Sequence, residues 1–190
     1  MNMKMNTSSH LSTVMALLLL VATVLACSSM GNLGNETAKA NKLVEEGNAA
    51  VLEGQKYVAE AELKKQQMFG SGIRLTEARS IAKEAIAALD MANEKCKLAS
   101  KKYEEASKLK INDKFKEYLT LKVREYDKRA ELVETAKGNP QALIEARNRS
   151  TFIGMANANN ERVDRLTREA KDLGAQAEKL MKDNPNIFKD

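Results

Sequence analysis

The sequence predicts an all-α protein, an antiparallel up-down-up-down four-helix bundle with coiled-coil-like seams. Three observations carry that prediction. From residue 36 onward the chain is rich in Ala, Glu, Lys and Leu, and the whole sequence holds two prolines, Pro140 and Pro185. Apolar or small residues recur at alternating steps of three and four, the period of a helix face that meets a partner. The interruptions of that period, "GSG" at 70–72, "KIND" at 110–113 and "GNP" at 138–140, leave long helices joined by short connections.

The first helix is expected from Glu36 to Phe69, with the seam Ala40, Val44, Gly47, Val51, Gly54, Val58 and Ala61. Gly47 and Gly54 lie one heptad apart, and each costs roughly 1 kcal/mol against alanine in a helix interior. A close helix crossing would offset that cost. "GSG" ends the helix. The second is expected from Thr76, in "TEAR", to Leu109, with the seam Leu75, Ala78, Ala82, Ala85, Leu89, Ala92, Cys96, Ala99, Tyr103 and Ala106. Six alanines among these ten positions leave little bulk, so partner helices must approach closely to exclude water.

Asn112 or Asp113 is the expected N-cap of a third helix, Lys114 to Lys137, with Leu119, Val123, Tyr126, Ala130 and Val133 inside. "GNP" places a glycine at that helix's end and a proline at the first position of the next. The fourth helix is expected from Pro140 to Asp183, stopped by "NPN". Its seam reads Ala142, Ala146, Arg149, Ile153, Ala156, Asn160, Val163, Thr167, Ala170, Gly174, Ala177 and Met181. The asparagine-rich patch Asn157–Asn160 is a candidate kink, a register-setting polar position, or an end of the packed region. As the longest helix, it is expected to protrude past the third. "YEEASKLKINDKFKEYL" resembles the second half of a tetratricopeptide unit, but the rest of that 34-residue pattern is missing and these helices are too long for it.

Ahead of the helices stands a short polar segment whose one charged side chain is Lys4, then the apolar run Val14–Ala26. At about 13 residues that run falls short of the roughly 20 a bilayer-spanning helix needs. A basic start, a short apolar stretch and small residues at its exit describe an export signal. The run ends in "VLAC", which resembles the lipobox of bacterial lipoproteins: Val24 matches the branched apolar position, Ala26 the small one, and Cys27 the modified cysteine. Leu25 departs from the commoner small or β-branched residue. The resemblance covers the first 29 residues. It implies cleavage between Ala26 and Cys27, a thioether-linked diacylglycerol on Cys27, and acylation of the new amino group. By the same resemblance, Ser28 in place of an aspartate favours the outer membrane over the inner. Two or three acyl chains on one residue pass the threshold for stable anchoring, which a single chain does not.

The expected organisation is therefore a signal peptide over 1–26, a flexible tether over 27–35, the bundle over 36–183 and a tail over 184–190. Cleavage leaves 164 of the 190 residues and takes the formal net charge from +5 to +4, since Lys4 is the one charge removed. A surplus that small, spread along the chain, reads as a solvated helix surface. It could also favour anionic headgroups or acidic cell-wall polymers. Nucleic acid is not expected as a partner of an exported chain. Cys96 is left as the one cysteine free of lipid, expected to be buried in its seam or to pair between chains.

The residues that carry most enzyme chemistry are missing from the mature part. The sole histidine, His10, lies in the cleaved segment, which removes histidine–metal sites and Ser–His–Asp triads. "GSG" is followed by Ile73 and Arg74 and lacks the lysine of a phosphate loop. The adjacent carboxylates Glu45–Glu46 and Glu104–Glu105 do not face each other on a helix and belong to a solvated surface. Aromatic content is 4% with no tryptophan, and Tyr57, Tyr103, Tyr118 and Tyr126 read as core edges with wet hydroxyls. No catalytic residue, cofactor or metal is expected. The reading that follows is a membrane-anchored, non-catalytic structural or protein-interaction module of the cell envelope, with a protein or cell-wall partner. The alternative is a periplasmic carrier for an apolar small molecule or lipid, housed between the alanine- and glycine-lined seams.

Overall fold

The structure, a computed structural model, describes residues 31–70 and 72–188. The signal segment with its cleavage and lipidation residues, Ala26 and Cys27, lies outside the described residues. Five helices follow one another: α1 (Gly31–Met68), α2 (Leu75–Ser107), α3 (Asp113–Ala136), α4 (Gly138–Glu145) and α5 (Arg149–Asp183). They form four arms of an all-α antiparallel bundle, because α4 continues the path of α3. Along α2, Tyr103 and Ala106 meet Phe115 and Leu119, Leu89 and Cys96 meet Ala130 and Val133, and Ala82 and Ala85 meet Leu143 of α4. α1 packs on α2, α2 on α3 and α3 on α5, while α4 bridges α2 and α5. Among the described residues α1 and α5 share no comparable seam, so the arms lie side by side in chain order.

Register between α1 and α2 is visible in three ion pairs: Glu46–Lys102, Glu53–Lys95 and Lys64–Glu84. The positions advance by seven and then eleven residues along α1 and retreat by the same steps along α2. Eighteen residues make five helical turns, so all three pairs fall on one edge of an antiparallel seam. Lys102 and Lys95, by hydrogen bonds, hold the Glu46 and Glu53 carboxyls below their ordinary range, and the lysines are raised in return. These groups are solvent-exposed, so the ladder contributes alignment more than stability.

Helix ends follow local chemistry. Gly72, in the turn between α1 and α2, has φ +83°, a conformation that a Cβ penalises. Asn112 is the N-cap of α3, its Oδ1 accepting from Lys114 N at 2.8 Å. Pro185 follows the C-cap residue Asn184 and bars continuation of α5.

The expected single helix from Pro140 to Asp183 is corrected. Pro140 has no N–H to offer the carbonyl four residues back, so the hydrogen-bond ladder breaks at Lys137, but the chain then runs on in the same direction as α4. The reversal comes at Ala146–Asn148. There Asn148 caps α5, its Oδ1 accepting from Thr151 N at 2.9 Å. Arg79 of α2 covers the end of α4, donating from Nε to Leu143 O (3.2 Å) and from Nη2 to Ala146 O (3.1 Å), which satisfies carbonyls that a helix end leaves open.

Two segment boundaries also differ. α1 begins at Gly31, inside the stretch read as tether, 27–35. The tail after 183 is not free, for Phe188 is buried, edge-on to Phe115 at 5.8 Å between ring centroids and 5.2 Å from Tyr118.

The α1 seam is buried at all seven predicted positions, and the α2 seam at nine of ten. Leu75 is the exception at 56% exposed, because it opens α2 past the end of α1. In α5 the seam is buried at Val163, Thr167, Ala170, Gly174 and Ala177 but not at Ile153 or Asn160. At 35 residues α5 is shorter than α1, at 38, and is not the longest helix as expected; its first turns extend past α3 alongside the short α4 and find less to pack against. α5 is continuous through Asn157–Asn160. The patch serves as a tie instead: Asn159 Nδ2 donates to Asn139 Oδ1 (2.9 Å), and Asn139 Nδ2 to Asn160 Oδ1 (2.7 Å).

The close crossing anticipated at the seam glycines is present. A Cβ on Gly47 would lie 3.0 Å from the Tyr103 ring and 3.4 Å from Lys102 Cβ, and one on Gly54 would lie 3.1 Å from Lys95 Cβ. Tyr103 cannot give way easily, being 1% exposed and donating its hydroxyl to Asn48 Oδ1 at 2.6 Å. Gly47→Ala therefore loses more to overpacking, about 1–3 kcal/mol, than it gains in helix propensity. Gly154 on α5 has nothing within 4 Å of its Cβ position, and Gly154→Ala gains up to about 1 kcal/mol. Urea unfolding followed by circular dichroism is expected to move the two midpoints in opposite directions.

Candidate functional site

Among the described residues, the charged cluster buried in the core is on α3. Lys122, Glu125, Tyr126 and Arg129 share a face at steps of three and four. Glu125 is fully buried and Arg129 is 3% exposed. Arg129 approaches Glu125 Oε1 twice, from Nε at 2.8 Å and from Nη2 at 2.7 Å, while Lys122 Nζ donates to Oε2 at 2.7 Å. Both carboxylate oxygens are thus occupied by cations. The ring of Tyr126 lies below them, 4.9 Å from Lys122 Nζ and 5.5 Å from the Arg129 guanidinium carbon, within cation–π range.

Gly174 of α5 makes room for this cluster. A Cβ there would meet Glu125 Oε1 at 3.2 Å and Cδ at 3.3 Å, so the glycine in the α5 seam answers to the carboxylate opposite it. Around the ions stand Tyr103, Tyr118 and Cys96. Burial pushes the Cys96 thiol up to about 11 and the Tyr118 phenol up to about 12, and raises Tyr103 and Tyr126 as well. The Arg129 charge opposes the shift at Cys96 without overcoming it. A thiol held that high carries little thiolate at neutral pH, the opposite of what a nucleophile needs.

Cys96 is a free, buried cysteine in its predicted seam. The expectation of wet tyrosine hydroxyls is corrected for Tyr103 and Tyr126, which are 1% and 5% exposed with ring centroids 5.5 Å apart. The adjacent carboxylates are surface groups: Glu45 is exposed, and Glu46 pairs with Lys102, Glu104 with Lys108 and Glu105 with Lys102. Periodicity reasoning missed Glu125 and Arg129 because it sorted charged residues to the outside. The available signal was Gly174 facing a helix that carries Lys, Glu and Arg beside its seam tyrosine.

Two further features concern the described surface. Among the described residues, no group of three or more His, Cys, Asp or Glu side chains is arranged to hold a metal ion. A shallow open groove of about 480 Å³ runs between α3 and α5, lined by Glu117, Thr120, Leu121 and Arg124 on one side and Gln176, Lys179, Leu180 and Asp183 on the other. Its charges alternate in sign and it offers no aromatic face. In the α1–α2 seam, the space that small residues would leave for an apolar guest is taken at Gly47 by Tyr103 and at Gly54 by Lys95.

Comparison with protein-family models, curated proteins and solved structures finds no match to this chain.

The ion cluster behaves as a structural element whose stability is all-or-none. Removing Glu125 alone strands Arg129 in the core, whereas replacing both Glu125 and Arg129 by apolar residues leaves only Lys122, whose side chain already reaches solvent at 15% exposed. Glu125→Ala is expected to lose about 3–5 kcal/mol, and Glu125→Leu combined with Arg129→Met to recover most of that loss. Denaturant midpoints of the single and double variants check this. Equal losses in both would contradict a paired role.

Proposed function

We propose that the mature chain is a lipid-anchored protein of the bacterial cell envelope, on the outer membrane in preference to the inner, acting as a non-catalytic structural or protein-interaction module. The observation that carries this reading is "VLAC" at the end of a short apolar run, with Cys27 as the residue that takes the lipid. No described helix is long and apolar enough to cross a membrane, so on this reading attachment resides in Cys27.

Support for a module that presents a surface comes from the two ends of the bundle. α1 begins four positions after Cys27, which holds the N-terminal end of α1 within about 14 Å of the lipidated residue even if the intervening chain is fully extended. The opposite end carries exposed Phe69, Leu75, Ile153 and Met155, and Phe69 and Phe152 stand 6.0 Å apart there. α1 alone, at 38 residues, spans about 57 Å. Confinement by the lipid raises the effective concentration of that far end for a protein or cell-wall partner. A non-catalytic role is consistent with a core whose buried carboxylate is saturated by two cations and whose thiol is held protonated.

Cells grown with an alkyne fatty acid provide the test. Wild type is expected to take up the label and to fractionate with outer membranes, while Cys27→Ser takes up none and leaves the membrane-anchored pool. An unlabelled wild-type protein in the soluble periplasmic fraction would overturn the proposal.

A further inference from the structure

We infer that the connection between α2 and α3, residues 108–116, is a contact surface for anionic lipid headgroups that sets the bundle upright on its membrane. This rests on the lipid-anchor reading above and deepens it by naming the chemistry of the surface the anchored end touches.

The segment reads "KLKINDKFK", with four lysines and one acid, Asp113, in nine residues. Its apolar members point inward: Ile111 and Phe115 are 6% and 4% exposed, and Leu109 packs against the same core. Asn112 fixes the turn by capping α3. With the apolar residues buried, Lys108, Lys110 and Lys114 are left exposed and Lys116 half-exposed, on a backbone that the core holds in place. Lys108 pairs with Glu104 at 2.6 Å and Lys114 with Glu117 at 2.8 Å, both exposed pairs. Lys110 and Lys116 have no carboxylate within ion-pair distance among the described residues.

Placement gives these charges their meaning. Ile111 and Phe115 share one core cluster with Ala40 and Val44 from the third and fourth turns of α1, with Ala106 and with Phe188. The lysine segment and the start of α1 are therefore at the same end of the bundle. With Cys27 embedded by its lipid, the first residue of α1 is kept within about 14 Å of it. The lysine segment lies level with Ala40, nine residues or about 13 Å further along α1. That is one to two screening lengths, about 8–10 Å each in physiological salt, from a headgroup surface that the start of α1 touches. Clusters of four or more lysines beside a membrane attachment bind anionic headgroups. The exposed acids Asp113, Glu104 and Glu117 limit the attraction, which makes the contact an orienting one that adds to the lipid anchor. Its consequence is that the helices stand away from the bilayer and Phe69, Leu75 and Ile153 are carried to the outer end.

The test uses the full, membrane-extracted protein reconstituted into vesicles of phosphatidylcholine alone or of phosphatidylcholine with phosphatidylglycerol. Each sample is treated with an amine-acylating reagent and the labelled lysines are read by mass spectrometry. Lys108, Lys110, Lys114 and Lys116 are expected to label about fivefold less on the anionic vesicles, with high salt restoring them. Lys83 and Lys171, exposed elsewhere on the bundle, are the internal controls and stay unchanged. Flotation with both kinds of vesicle but equal labelling at the four lysines overturns this inference alone. Failure to float with the uncharged vesicles overturns the lipid anchor, and this inference with it.

Discussion

The small size of the side chains along α2 governs how every other arm is placed. Seven of its twelve buried residues are alanine, and they face both neighbours. A helix lined with methyl groups gains little from area alone, since each buried methylene-sized group contributes about 0.8 kcal/mol. It stabilises the fold only if its partners come close enough for dense packing to supply the rest. Gly47 and Gly54 let α1 do so on one side. On the other, α3 approaches closely enough for Ser100 to bond Asp127 at 2.6 Å and Asn93 to bond Glu134 at 2.6 Å. Polar residues are tolerated in this interface because each reaches across it.

Bulk is then concentrated where α2 is least alanine-like. Tyr103, Tyr126, Phe115, Tyr118 and Phe188 gather at the end where α1 begins, while the opposite end is held by Met68, Ala82, Ala85 and the short helix α4. The first end is thick and aromatic, the second thin and edged with exposed apolar side chains. The buried Glu125–Arg129 pair sits beside the aromatic group and faces Gly174 of α5. Sliding α5 by one turn would replace Gly174 with a side chain and press on the carboxylate, so the ions and the glycine together define one register between α3 and α5.

What could be read from the chain alone divides along the same physical line. The seams of α1 and α2, the stops at "GSG" and "NPN" and the cap at Asn112 are local properties, set by residues within a few positions of one another. The burial of Cys96 and the close approach at Gly47 follow from them. Features that depend on a distant partner were not legible in this way. Pro140 breaks a hydrogen-bond ladder wherever it stands, but whether the chain then turns or runs on is decided by Leu143 and Ile144 packing on α2. The inward Glu125 depends on Gly174, and the burial of Phe188 depends on Phe115 and Tyr118. The side-by-side order of the arms likewise reflects which faces meet, which periodicity does not encode. For the proposed lipidation site the position is reversed: the lipobox-like pattern at Cys27 is legible in sequence, and the residue lies outside the described residues.

A core whose buried carboxylate and thiol are tied up, a register set by ions and small residues, and the proposed lipid on Cys27, a few positions before the first helix, are what the reading as a rigid spacer fixed to a bilayer rests on. Intact-mass spectrometry of the protein extracted from membranes tests that account most directly. It predicts a chain beginning at Cys27 and heavier than its amino acids by a diacylglycerol and an N-linked acyl group. A mass equal to the bare polypeptide, or a chain that begins anywhere other than Cys27, would contradict it.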